Sequence, residues 1–404
     1  MSQDGLKANE VRRALDAVRA VDLHRSSRIK WRLYGDDVLP AWVADMDFPV
    51  APPIQRAVEE LVRRSDLGYH QVPLSAQLRE ALVSHMARRF SWTIEPRRIE
   101  PLVTVVQGLD APVMLHSRPG DGVVVMTPIY PPFLAAVERS GRKLVEHPLV
   151  RGAQRYEIDF DRLDASIEPN TRMILLCNPH NPTGRVFERA ELEALAEIAL
   201  RHDLIIVSDE IHADLTHPGH RHIPIASLAP EIEQRTITLT SATKAFNIAG
   251  LPAAFAIFGS DELQKPFREL PPHLLGHCGI LEDAATLCAW TEGQPWLDEV
   301  MAYLLENRAL IAEFLERELP EVRYLPPEAT YLAWLDCREL ELPTNPREFF
   351  LEQAKVALSS GPDFGTPGQG FVRLNFATSK TILSEILERM ATAVKRYGGG
   401  PPSS

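Results

Sequence analysis

Between residues 123 and 260 the chain alternates two kinds of hydrophobic pattern. Short apolar runs rich in β-branched residues recur as "GVVVMTP" (122–128), "RKLVEHPLV" (142–150), "RMILLCNP" (172–179), "LIIVSDE" (204–210) and "RTITLTS" (235–241). Each has the length of a buried strand and ends on turn-forming or polar residues. Between them lie stretches such as "ERAELEALAEIALRH" (188–202), whose apolar residues fall at helical spacing. Strands alternating with helices predict crossover units and a mostly parallel sheet covered on both faces, an α/β fold. After about residue 286 the rhythm changes. A long helical pattern (296–319) precedes two strand-like pieces, "YLAWLDC" and "GFVRLNFA", and an amphipathic helix near 379–397. The expected organisation is an N-terminal segment, 1–50, packing with a small domain; a large domain, 51–285; a smaller α+β domain, 286–397; and a flexible tail, 398–404.

In a parallel sheet, ligands collect at the carboxyl ends of the strands. The polar motifs of this chain all follow apolar runs: "NPHNPTG" after "RMILLC", "SDEIH" after "LIIV", and "SATK" after "TITL". Composition narrows the classes further. With 404 residues, 45% hydrophobic and 24% charged, the chain has the make-up of a globular protein with room for more than one core. A net charge of −12 without a long basic run argues against a nucleic-acid partner. No apolar run has bilayer length and the N-terminus lacks a signal-peptide core, so a cytoplasmic protein with no membrane contact is expected. The four cysteines, Cys177, Cys278, Cys288 and Cys337, are scattered, which suits reduced thiols and offers no zinc motif.

Individual residues carry two readings each. Lys244 at a strand end is either a surface lysine or a buried amine with a lowered pKa, the state in which lysine acts as an imine-forming nucleophile. Asp209 could cap the following turn, or hold a pyridinium nitrogen protonated. Asn181 is a turn residue or an amide donor to a ring oxygen. Arg373, within the otherwise apolar "GFVRLNFA", requires an anion, either a structural acid or a substrate carboxylate. His212, His217, His220 and His222 invite a metal, but their spacing matches no known ligand geometry, and "HPGHRH" reads as a solvent-facing turn.

Taken together, "NPHNPTG", "SDEIH", "SATKAFNIAG" and "VRLNFA" resemble the signature blocks of pyridoxal 5'-phosphate-dependent fold type I enzymes of the class I/II aminotransferase superfamily. "KWRLYGDDVLPAWVADMDFPVAPPI", "LGYH", "TPIYPPF" and "GFVRLNFATSKTIL" narrow the resemblance to the MalY/PatB branch, the cystathionine β-lyase-like C–S lyases, over roughly residues 28–396. The resemblance implies that Lys244 carries the cofactor and shuttles the α-proton, and that Asp209 pairs with the pyridine nitrogen. It also implies that Asn181 and His212 meet the ring's phenolic oxygen and that Tyr130 stacks on the ring. Ser241 and Thr243 would hold the phosphate together with the backbone N–H groups of Leu109 and Asp110 after Gly108, read as a helix-start anion site. Leu109-Asp110 departs from the Gly-Val-Val usual in related lyases. Position 252, where aspartate-type aminotransferases carry a phosphate-binding arginine, is Pro252. Tyr69 would reach the phosphate of the neighbouring subunit, making the protein a homodimer. Arg373, with the backbone at Ala44, would hold the substrate carboxylate.

The reaction expected from this resemblance is β-elimination of a thiol from an S-substituted L-cysteine. Transamination and a decarboxylation-coupled oxidative deamination of an S-cysteine conjugate are the alternatives. The histidine-containing segment 270–285 is unlike the branch and is expected to border the substrate pocket.

Overall fold

The structure, a computed structural model, describes residues 3–69, 76–271 and 274–398. The motif "LGYH" ends, the segment 270–285 begins, and the tail lies, partly or wholly outside those residues. Seven strands form the main sheet: β1 (Ile99–Leu102), β2 (Gly122–Thr127), β3 (Lys143–Pro148), β4 (Thr171–Cys177), β5 (Ile205–Asp209), β6 (Thr236–Thr240) and β7 (Ala254–Phe258). Their order is β1-β7-β6-β5-β4-β2-β3. The pairs from β6 to β3 are parallel, as the alternating pattern predicts. The edge formed by β7 and β1 is antiparallel and was not read from the sequence.

The strands read as unbroken apolar runs because both faces are covered. Val123 and Val125 of β2 join Leu175, Val207 and Leu239 in one core, while Val124 and Met126 join Ile174, Leu176 and Ile206 in another. Successive side chains point to opposite faces, so each strand serves two cores at once. The parallel strands all run one way, and β4, β5 and β6 therefore end side by side at Cys177, Asp209 and Thr240. That shared end gathers the polar motifs.

A second, antiparallel sheet contains β8 (Arg323–Tyr324), β9 (Leu332–Asp336), β10 (Ser359–Ser360) and β11 (Phe371–Asn375), in the order β8-β9-β11-β10. The helices Gln294–Glu318 and Lys380–Gly398 accompany it, within a residue or two of their expected limits. Near the N-terminus, Leu39–Pro40 pairs in parallel with Val356–Ala357. The two sheets are stapled where Gly184, at φ +71, lies against Pro327. A Cβ at Gly184 would sit 2.2 Å from the proline ring, so only glycine serves there. Among the described residues, no helix is long and apolar enough to cross a membrane.

Candidate active site

A cavity of about 240 Å³ opens at the carboxyl ends of β4, β5 and β6. Lys244, Asp209, Asn181, His212, Tyr130, Ser241, Thr243, Leu109, Ala44 and Arg373 all line it. Residues as far apart in the chain as Ala44 and Arg373 thus meet in one place.

Lys244 follows β6 and points its Nζ at the Ala44 carbonyl, 2.9 Å away. Burial holds its pKa below the ordinary value, with Asp45 pulling the other way. Asp209 ends β5, where its Oδ1 accepts the Ile211 N–H at 3.0 Å. Burial pushes its carboxyl up to about 7, against the pull of that hydrogen bond. His212 is buried; its Nδ1 has no partner among the described residues, and burial lowers its pKa to about 3 with help from Lys244 and Arg373. It is therefore a neutral ring with a polar atom to offer.

Arg373 projects from β11. Its Nη1 donates to Asn181 Oδ1 (3.0 Å), and its Nη2 to the Trp42 carbonyl (2.9 Å) and Ser359 Oγ (3.1 Å). All of these partners are neutral, and Nε has none among the described residues. Burial lowers the guanidinium to about 10, so it stays charged at neutral pH, with no counter-ion among the described residues. Asn181, with its oxygen taken by Arg373, keeps its amide N–H groups for the cavity. Tyr130 precedes the helix Pro131–Arg139, and its backbone N–H donates to the Asn181 carbonyl at 3.1 Å. Ser241 and Thr243 hydroxyls lie 2.8 Å apart.

Three expectations need correction. The helix beside the cavity is Val105–His116, capped by Thr104, whose Oγ1 accepts the Gln107 N–H. Its unbonded N–H groups are in the first turn, at Val105 and Val106, while those of Leu109 and Asp110 lie inside the helical ladder. A helix-start anion site, expected beside Gly108, would therefore fall at 104–106, and these residues line the cavity. Gly108 serves packing instead, since a Cβ there would lie 2.7 Å from Leu239. Asp110 faces a separate groove with Arg139. Gly108 suggested the wrong turn of the helix, and the Thr-x-x-Gln cap is the signal that could have located its start.

The histidines are the second correction. His217 bonds the Thr330 carbonyl at 2.9 Å and His222 meets Glu210 at 2.8 Å, both buried, so only 218–221 faces solvent. No group of three or more potential metal ligands converges among the described residues. The third correction concerns the segment 270–285, none of whose described residues lines the cavity. It buttresses the helix start from behind, through the Leu275 carbonyl and Gln107 (2.7 Å). Tyr69 stands away from this cavity and is fully exposed.

The residues fit pyridoxal 5'-phosphate. A buried lysine of lowered pKa, a buried acid, an orphaned His212 nitrogen and a free helix start suit its aldehyde, pyridine, phenolic and phosphate groups in turn. The raised Asp209 value has a consequence for the cofactor-free chain. Its folded pKa exceeds the ordinary 3.8, so the folded state binds that proton more tightly, and its stabilising effect is lost as pH rises through about 7. The thermal midpoint of cofactor-free Asp209→Asn should gain on that of the parent between about pH 5 and pH 8. A constant gap across that range would contradict it.

Residues 43–390 match the family aminotransferase class I and II. The chain is 36% identical over 375 residues to cystathionine beta-lyase PatB of Bacillus subtilis, a match covering 91% of this chain and 96% of that protein. Among solved structures, OvoB is 40% identical with a TM-score of 0.87, over 91% of this chain and 96% of its own. Cystalysin from Treponema denticola, which contains pyridoxal 5'-phosphate, is 31% identical with a TM-score of 0.89, over 93% of this chain and 97% of its own.

Proposed function

This chain belongs to the aminotransferase class I and II family, and from that premise we propose that it is a pyridoxal 5'-phosphate-dependent carbon–sulfur lyase cleaving an S-substituted L-cysteine to a thiol, pyruvate and ammonia. The observation that carries the substrate class is Arg373. A buried guanidinium held by neutral groups alone among the described residues, and sharing a small cavity with an amine, suits an α-amino acid's carboxylate.

The cofactor would be held by Lys244 at its aldehyde carbon, Asp209 at the ring nitrogen, and Asn181 and His212 at the phenolic oxygen. Thr104, the Val105 and Val106 N–H groups, Ser241 and Thr243 would meet the phosphate, and Tyr130 would cover one ring face. When bound, pyridoxal 5'-phosphate supplies an electron sink that acidifies the α-C–H of an amino acid joined to it. The protein does the rest. Arg373 fixes the carboxylate and so sets which bond at the α-carbon faces Lys244. Lys244, its pKa lowered by burial, is the amine placed to take the α-proton. Asp209, charged once a pyridinium lies against it, keeps the ring electron-poor. Tyr69 of a second copy would complete the phosphate site, making the working form a homodimer; its full exposure in the single chain supports this reading.

The test supplies S-alkyl cysteines and cystathionine without any 2-oxo acid, and assays thiol, pyruvate and ammonia. Equal release of all three is expected. Amino-group transfer that begins only when a 2-oxo acid is added, with no thiol, would replace the proposal by transamination. Oxygen uptake and carbon dioxide release with the thioether retained would replace it by oxidative deamination.

A further inference from the structure

The segment 42–48 crosses the cavity wall without regular structure, yet its carbonyls are bonded by side chains from β11 and from the turn that follows β6. Trp42 is held by Arg373, Val43 and Asp45 by Asn375 at 2.7 Å each, and Phe48 by Asn247 at 2.7 Å. The Ala44 carbonyl differs from these in facing the cofactor lysine. It accepts two donors, Lys244 Nζ at 2.9 Å and the Tyr331 hydroxyl at 3.2 Å. Tyr331 is buried, stands edge-on to the His212 ring at 6.4 Å between centroids, and is kept protonated by burial.

Resting on the cofactor reading above, we propose that Tyr331 is a positioning residue, which with the Ala44 carbonyl forms a resting place for the Lys244 amine while that amine is free of the cofactor. The substrate's own amine displaces Lys244, and the freed side chain must then stay beside the α-carbon. A lysine on its own spreads over many rotamers. One N–H held by a fixed carbonyl leaves the lone pair to turn toward the substrate. The second donor has a matching purpose. Whenever Lys244 is joined to the cofactor it withdraws from Ala44, and a buried carbonyl left without any donor is unfavourable. Tyr331 keeps that carbonyl bonded and oriented through both halves of the cycle, ready to receive the amine again.

Tyr331→Phe keeps the ring against His212 and removes only the hydroxyl. In the holoenzyme, proton NMR in D2O reads exchange of the α-proton of an S-alkyl cysteine, a step common to elimination and transamination. Exchange should fall about tenfold, with KM changed less than about twofold. In the cofactor-free chain the same variant should capture added pyridoxal 5'-phosphate several-fold more slowly, read as borohydride-fixed label. In a Lys244→Ala background rescued by ethylamine, the further Tyr331→Phe change should have no effect on exchange, because Tyr331 acts through the lysine. Unchanged exchange in Tyr331→Phe, or an equal loss in the rescued background, would overturn the proposal. Failure of thiol release would leave these measurements intact and count only against the lyase reading.

Discussion

Lys244→Ala should yield a folded chain that takes up pyridoxal 5'-phosphate but releases it on dialysis, leaves no label after borohydride, and turns over on the order of 10⁴-fold more slowly or worse. The magnitude follows from losing two functions at once, the covalent link and the base that moves the α-proton. Folding should survive, because the Ala44 carbonyl keeps the Tyr331 hydroxyl when the amine is gone. Retention of a reducible yellow adduct would show that another amine carries the cofactor. The same variant tests the second copy's role. When Lys244→Ala and Tyr69→Ala chains are mixed, half of the dimers are mixed and each of those has one intact site, so about a quarter of the sites should recover. If Tyr69 served its own chain, mixing would restore nothing.

Arg373→Lys should lower kcat/KM for a cysteine thioether on the order of 10²- to 10³-fold, chiefly through KM. Two charge-assisted hydrogen bonds to one carboxylate together contribute about 3–4 kcal/mol, and an ammonium cannot reproduce the planar fork. The parent enzyme assayed with the substrate's carboxamide should show a similar loss, and the variant should barely distinguish carboxylate from carboxamide. A variant that still prefers the carboxylate by the parent's margin would place the anion elsewhere. Loss of cofactor binding would be a different result, expected only in part, since Arg373 also orients Asn181 at 3.0 Å.

Much of this site could be read along the chain because a parallel sheet converts linear order into place. Each motif that follows an apolar run arrives at the same end of the sheet, and Asn181, Asp209 and Lys244 needed no further information to be brought together. Arg373 was legible for a different reason, a guanidinium inside an apolar strand. The helix start was misplaced by one turn, because glycine suggests a close approach of backbone to ligand while here it accommodates Leu239. The antiparallel strands β7 and β1 escaped notice too. β7 is a plain apolar run, and β1 contains Pro101, so neither shows its antiparallel pairing locally.

What the sequence determined by itself was the architecture and the chemistry: hydrophobic period sets strand and helix, and strand order sets where the reactive side chains gather. Only the tertiary structure decided how those side chains are supported. The Ala44 carbonyl, Tyr331, Ser359 and the first turn at Val105 are ordinary residues in ordinary stretches. Their roles rest on backbone atoms and on contacts across the two sheets, and a backbone carbonyl has no signature in the letters of a chain.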